Sequence, residues 1–185
     1  MKTLFISFIT LVSISACIGQ SNPPLHFLSP KLMEQKEITV FPIADFRENQ
    51  GTAFNLADFT QNIMVKKLNR LKYKGKAGVV QKEIYKDLSL DQVMQPAPEL
   101  LSRLENFKGA AILIPVLTQY ESKMGLGWGT EVQLSALILE PESGEVIWRH
   151  TGSGEDYGPL IKGINQRTAM QNTTLDLMRG LPKNK

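Results

Sequence analysis

Residues 110–117 read Ala-Ala-Ile-Leu-Ile-Pro-Val-Leu. An almost wholly apolar run of that length suits a β-strand covered on both faces. Pro115 has no amide hydrogen to give to a ladder, so it marks a bulge or an edge. Residues 130–140 form a second long strand, with Val132, Leu134, Ala136 and Ile138 on one face. Gln133, Ser135, Leu137 and Leu139 take the other face, as a two-residue period requires. Pro141-Glu142-Ser143-Gly144 is turn chemistry. Residues 145–150, Glu-Val-Ile-Trp-Arg-His, return as the third strand of a meander, which Gly152-Ser153-Gly154 is expected to end.

Outward from the meander, helices and strands alternate. Residues 38–43, Ile-Thr-Val-Phe-Pro-Ile, are β-branched and bounded by charge, and predict the first strand. Asp45 to Gly51 follow as a loop. Asn55 is a candidate N-cap for a helix whose Leu56, Phe59, Ile63, Leu68 and Leu71 fall near helical spacing and which ends at 73–75. Residues 77–80 predict a short strand. Residues 89–94 predict one helical turn, stopped by Pro96, and Pro98 fits the first position of a helix over 99–106. The tail, 160–181, carries an imperfect helical stripe (Leu160, Ile164, Met170, Leu175, Met178) that Thr173-Thr174 weakens. The expected order is β-α-β-α-β-β-β-α. That order predicts a single α+β sandwich, its helices packed on one mixed sheet that includes the three-strand antiparallel meander. No internal repeat is apparent.

The first residues carry a different signal. Lys2 and the apolar residues 4–14 have the layout of a secretory signal, too short for the roughly 20 apolar residues a membrane-spanning helix needs. Ile14-Ser15-Ala16-Cys17 resembles a bacterial lipobox. That resemblance implies a diacylglycerol on Cys17, cleavage before it and acylation of the new amino terminus. The expected division is therefore a signal peptide over 1–16, a lipidated tether over 17–36, one domain over 37–182 and a tail over 183–185. Cys17 is the chain's one cysteine, so with it lipidated no disulfide braces the domain and the core must hold it. The remaining roughly 170 residues are enough for one real core. A net charge of +3 is not a nucleic-acid profile. The basic run Lys66, Lys67, Arg70, Lys72, Lys74 and Lys76 reads as the solvated face and end of a helix.

Residues 88–153 contain Leu-Ser-Leu-Asp-Gln-Val, Pro-Ala-Pro-Glu-Leu-Leu, Phe-Lys-Gly-Ala-Ala-Ile-Leu and Glu-Ser-Gly-Glu-Val-Ile-Trp-Arg. This stretch resembles a family of uncharacterised bacterial lipoproteins typified by a neisserial surface antigen. More distantly it resembles the lipoproteins of curli secretion and of penicillin-binding-protein activation, and the amino-terminal domain of the Tol-system β-propeller protein. Ser143-Gly144-Glu145-Val146-Ile147-Trp148 carries the shared hairpin-and-tryptophan signature. The close family's Asn-x-Ser/Thr after the first strand is absent, and Asp45-Phe46 stands nearer the curli-type pattern. The resemblance implies an accessory protein of an envelope machine and carries over no catalytic residue.

The residues for chemistry are sparse. His26 falls in the tether and His150 at a strand end, so no histidine pair shares an element at metal-ligand spacing, and no metal or cofactor is expected. Asp45 and Glu48 after the first strand, and Glu155 and Asp156 after the third meander strand, read as solvated or capping carboxylates. Met124-Gly125-Leu126-Gly127-Trp128-Gly129 joins two strands, and its glycines permit a hairpin. Leu126 and Trp128 either fold back on the core or present an apolar tip to a partner. The sequence thus predicts a non-enzymatic lipoprotein of the outer membrane, facing the periplasm, that binds another envelope protein and no nucleic acid. A curli-type secretion-pore subunit and a periplasmic enzyme or small-ligand binder are the alternatives, and the oligomeric state is left open.

Overall fold

The computed structural model describes residues 26–46, 56–79, 82–104, 107, 109–124, 128–140, 142–158 and 166–184. The strands are β1 (Phe27–Leu28), β2 (Glu37–Val40), β3 (Ala44–Asp45), β4 (Lys74–Ala77), β5 (Ala111–Met124), β6 (Trp128–Leu139) and β7 (Val146–Gly158). The helices are α1 (Leu56–Arg70), α2 (Leu90–Met94), α3 (Pro98–Leu104) and α4 (Gln166–Leu177), with short 3-10 turns between them. One mixed sheet runs β1-β7-β6-β5-β2-β4, and β3 extends the β2 position against β5. β5, β6 and β7 are antiparallel neighbours, whereas β2 and β3 run parallel to β5, and β4 parallel to β2. The fold is the expected α+β sandwich with the meander at its centre.

The apolar run that predicts β5 is buried on both faces. On one face Ala111, Leu113 and Leu117 join Ile38, Val40, Val132, Leu134, Ala136, Ile138 and Trp148 beneath Met64 and Leu68 of α1 and Ala169 and Met170 of α4. On the other, Ile112, Ile114 and Val116 meet Val93 of α2 and Leu100 and Leu104 of α3. Leu137 and Leu139 lie in this second cluster, which is why the strand carries leucines on both faces there. The helices therefore cover both sides of the sheet, not one.

Pro115 is accommodated where its parallel neighbour is broken. Val40 pairs with Leu113 and Ala44 with Val116, so the β2–β3 side holds an extra residue around Pro42 exactly where β5 lacks a donor. The Phe41 amide bridges the gap by donating to the Leu113 carbonyl at 2.9 Å. A second irregularity falls between Leu117 and Gln119. There the Thr118 hydroxyl donates to the Gln133 carbonyl at 3.1 Å, so a side chain takes a ladder partner.

Three expectations are corrected. The strand expected at 77–80 lies at β4, an edge whose lysines and Gly75 carry no apolar alternation. β7 does not stop at Gly152 but continues to Gly158. A Cβ on Gly152 would sit 2.3 Å from the Leu177 amide nitrogen, and one on Gly154 would sit 2.5 Å from that of Thr173. These glycines admit the α4 backbone to the sheet and do not end the strand. Part of the segment expected as a tether over 17–36 is folded. Phe27 and Leu28 pair with Arg149 and Trp148, and Leu32 is fully buried in the core. Residues 26–36 therefore belong to the folded unit.

Candidate functional site

Among the described residues no three of the His, Cys, Asp and Glu side chains gather as metal ligands. Two regions nonetheless stand out, the root of the N-terminal segment and the far half of the meander.

At the root, the β1–β7 register fixes the geometry. Phe27 opposes Arg149 and Leu28 opposes Trp148, and the Ser29 amide donates to the Ile147 carbonyl at 2.9 Å. Continuing that antiparallel register one step sets His26 opposite His150, at a position of the non-hydrogen-bonded kind where side chains stand closest. Their Nδ1 atoms are 3.1 Å apart and the rings meet edge to face, with centroids 4.9 Å apart. The two histidines that the sequence separates by 124 positions are thus neighbours. His150 is half-buried against Gly180, where a Cβ would meet its ring at 2.6 Å, and burial holds its pKa below the ordinary histidine value. His26 adds to that depression, and Asp176 opposes it. Further along, Lys31 Nζ reaches Glu145 at 2.7 Å and Glu140 at 3.2 Å. This clamps the segment to the two ends of the β6–β7 turn.

The neighbouring Arg149 was not singled out by sequence. It points to the opposite face, is nearly buried, and donates to the Met94 carbonyl at the end of α2. Burial lowers its pKa, and its Nε has no hydrogen-bond partner among the described residues. A cation there satisfies a helix-end carbonyl that lacks an intrahelical donor.

In its far half the described residues cover the meander on one face. β5, β6 and β7 are 12 to 14 residues long, roughly 40 Å. α4 lies over one face, where the Thr173 hydroxyl donates to the carbonyls of Ala169 and Val132. On the other face, α2 and α3 cover the strands around Leu137 and Leu139. Beyond them the sheet carries the half-buried Thr118, Gln119, Gln133 and Thr151 and the exposed Ser153. There Glu131 opposes both Glu121 on β5 and Glu155 on β7, a row of like charges across three strands.

Of the other candidate residues, Asp45 pairs with Leu117 on β5 and Asp156 with Thr130 on β6. β5 and β6 lie between them, so the two carboxylates share no site. Lys66, Arg70, Lys72, Lys74 and Lys76 are exposed along the end of α1 and the β4 edge, and Lys76 pairs with Glu37 at 2.6 Å. They form the solvated face that the sequence predicts. Cys17, Glu48, Asn55 and Leu126 lie outside the described residues, as do the signal segment and the hairpin tip. Trp128 opens β6, paired with Met124 and Gly158, and its side chain lies outside what is described.

No family model matches the chain, and no curated protein matches it in sequence. Solved structures do match. The PelC dodecamer from Paraburkholderia phytofirmans aligns with TM-score 0.51 and 14% identity over 86% of this chain and 96% of that one. Lipoprotein GNA1162 from Neisseria meningitidis aligns with TM-score 0.45 and 20% identity over 66% and 83%. The LpoB C-terminal domain from Salmonella enterica gives 0.38 and 11% over 64% and 82%. At these identities the likeness is one of fold.

Proposed function

We propose that this chain is a bacterial envelope lipoprotein, anchored by lipid on Cys17 to the outer membrane and facing the periplasm. Its domain is a non-catalytic docking module for another envelope protein. The observation that carries the reading is the polar sheet face of the far meander, where Glu121, Glu131 and Glu155 stand side by side while α4 covers the other face. A basic partner surface laid across this row would meet three carboxylates in register. The lipobox resemblance supports the anchor, and the short tether would hold the face near the membrane.

Affinity purification of the full chain from solubilised membranes tests the reading. A stoichiometric protein partner is expected, and replacing Glu121, Glu131 and Glu155 by Gln should release it. Repeated recovery of the chain alone would contradict the proposal.

A second reading is assembly with copies of itself. PelC, which shares the fold at TM-score 0.51, is a dodecamer. This chain carries a basic β4 edge apart from its acidic meander face, the asymmetry a head-to-tail ring would use. Light scattering on the purified chain separates the readings: a closed oligomer supports this one, and a monomer that binds another protein supports the first. A curli-type pore would need further lipid-facing strands. Leu137 and Leu139, which break the alternation of β6, lie beneath α2 and α3.

A further inference from the structure

We propose that His26 and His150 form an acid-released latch that holds the root of the N-terminal segment on the β7 edge. The cross-strand register brings their Nδ1 atoms to 3.1 Å, and a hydrogen bond at that distance needs one N–H and one lone pair. With both rings neutral, or with one proton added, that condition is met. With both rings charged, two N–H groups point at each other and two cations stand in contact, so the bond is lost.

The surroundings decide which partner leaves. His150 is fixed between Gly180, against which its ring packs, and Trp148, whose ring lies 6.1 Å away. Asp176 of α4 faces His150 and favours its charged form, but this carboxylate also accepts from the Ser153 amide at 3.2 Å and pairs with Arg179 at 3.3 Å. From β6 the opposing residue is Ala136, which carries no charge. Arg149 reaches Met94 on the opposite face. His26 is exposed and directly precedes the two-residue strand β1. The second proton therefore expels His26, and Phe27 and Leu28 follow, because among the described strands β1 pairs with β7 alone. Both are partly exposed, at 37% and 44%.

The opening reaches the Ser29 amide, which leaves the Ile147 carbonyl, and stops at Pro30. Beyond it Lys31 stays clamped to Glu140 and Glu145, and Leu32 stays in the core. Release would lengthen the tether by about three residues, roughly 10 Å. It would also uncover the β7 edge at 148–150, where another strand could pair. Each pKa unit by which the pair opposes its second proton corresponds to a factor of about ten in the latch equilibrium.

Imidazole resonances and amide exchange of the full chain, followed by NMR from pH 8 to pH 4.5, test the latch. The two histidines should titrate in coupled steps, the second displaced to lower pH. After correction for intrinsic rates, Ser29 amide exchange should rise about tenfold or more through that second step while core amides such as Leu134 stay protected. His26→Ala, at an exposed position, should leave the fold intact, raise the His150 midpoint and remove the pH dependence at Ser29. Independent titration of the two rings, or Ser29 protection unchanged through the titration, would overturn the proposal, as would the same acid opening in His26→Ala.

Discussion

Gly152 of β7 lies against Leu177 of α4 so closely that a Cβ would fall 2.3 Å from the Leu177 nitrogen and 2.6 Å from its Cα. Helix and strand meet there through backbone, and neither side can yield by turning a side chain. Gly152→Ala must push α4 off the sheet or bend β7. Overpacking of this kind costs about 1–3 kcal/mol or more. Urea unfolding should show a lowered midpoint with an unchanged slope.

Ser89 caps α2 reciprocally. Its hydroxyl accepts from the Gln92 amide at 3.2 Å, and the Gln92 side chain accepts from the Ser89 amide at 2.7 Å. This capping box starts a helix whose Val93 is fully buried, so sequence, local structure and packing agree. Ser89→Ala should cost about 1 kcal/mol, read from the same denaturant curve. A change below the error of that curve would show that α2 is held by packing alone.

Stability should fall in two acid windows. The folded-state pKa of His150 is depressed by burial and by His26, so the unfolded chain binds the proton more readily. The associated stability is complete above the ordinary value of about 6.5 and declines as pH falls from there to the depressed value. Glu140 is held below its ordinary value by the Ser143 hydroxyl and then by Lys31, so its contribution is present above about 4.5 and is lost at lower pH. Thermal unfolding against pH should show the upper window vanish in His150→Gln and the lower one persist.

Much of this fold is legible in residue order because the decisive signals are local. The apolar run at 110–117 and the alternation through 130–140 place β5 and β6, and Ser89 and Pro98 place the starts of α2 and α3 within a residue. What stays hidden depends on distant partners. Gly152 and Gly154 look like breakers until α4 is seen to need their missing Cβ atoms. β1 is two residues long and has no period to detect, and its partner lies some 120 positions away. The His26–His150 contact follows only from that pairing. The edge strand β4 is expected three residues late, at 77–80, because Lys74, Gly75 and Lys76 carry the charge and small size of an edge, not a buried pattern. The glutamate row likewise exists only in the register of three strands.

Cys17 is the proposed point where the chain meets the membrane. Intact mass of the chain recovered from washed membranes, beside Cys17→Ser, tests this most directly. The prediction is a mature chain beginning at Cys17 and carrying lipid, with the Cys17→Ser domain folded but not membrane-held at mature length. A membrane-bound chain with Cys17 unmodified, or a mature terminus elsewhere, would contradict it.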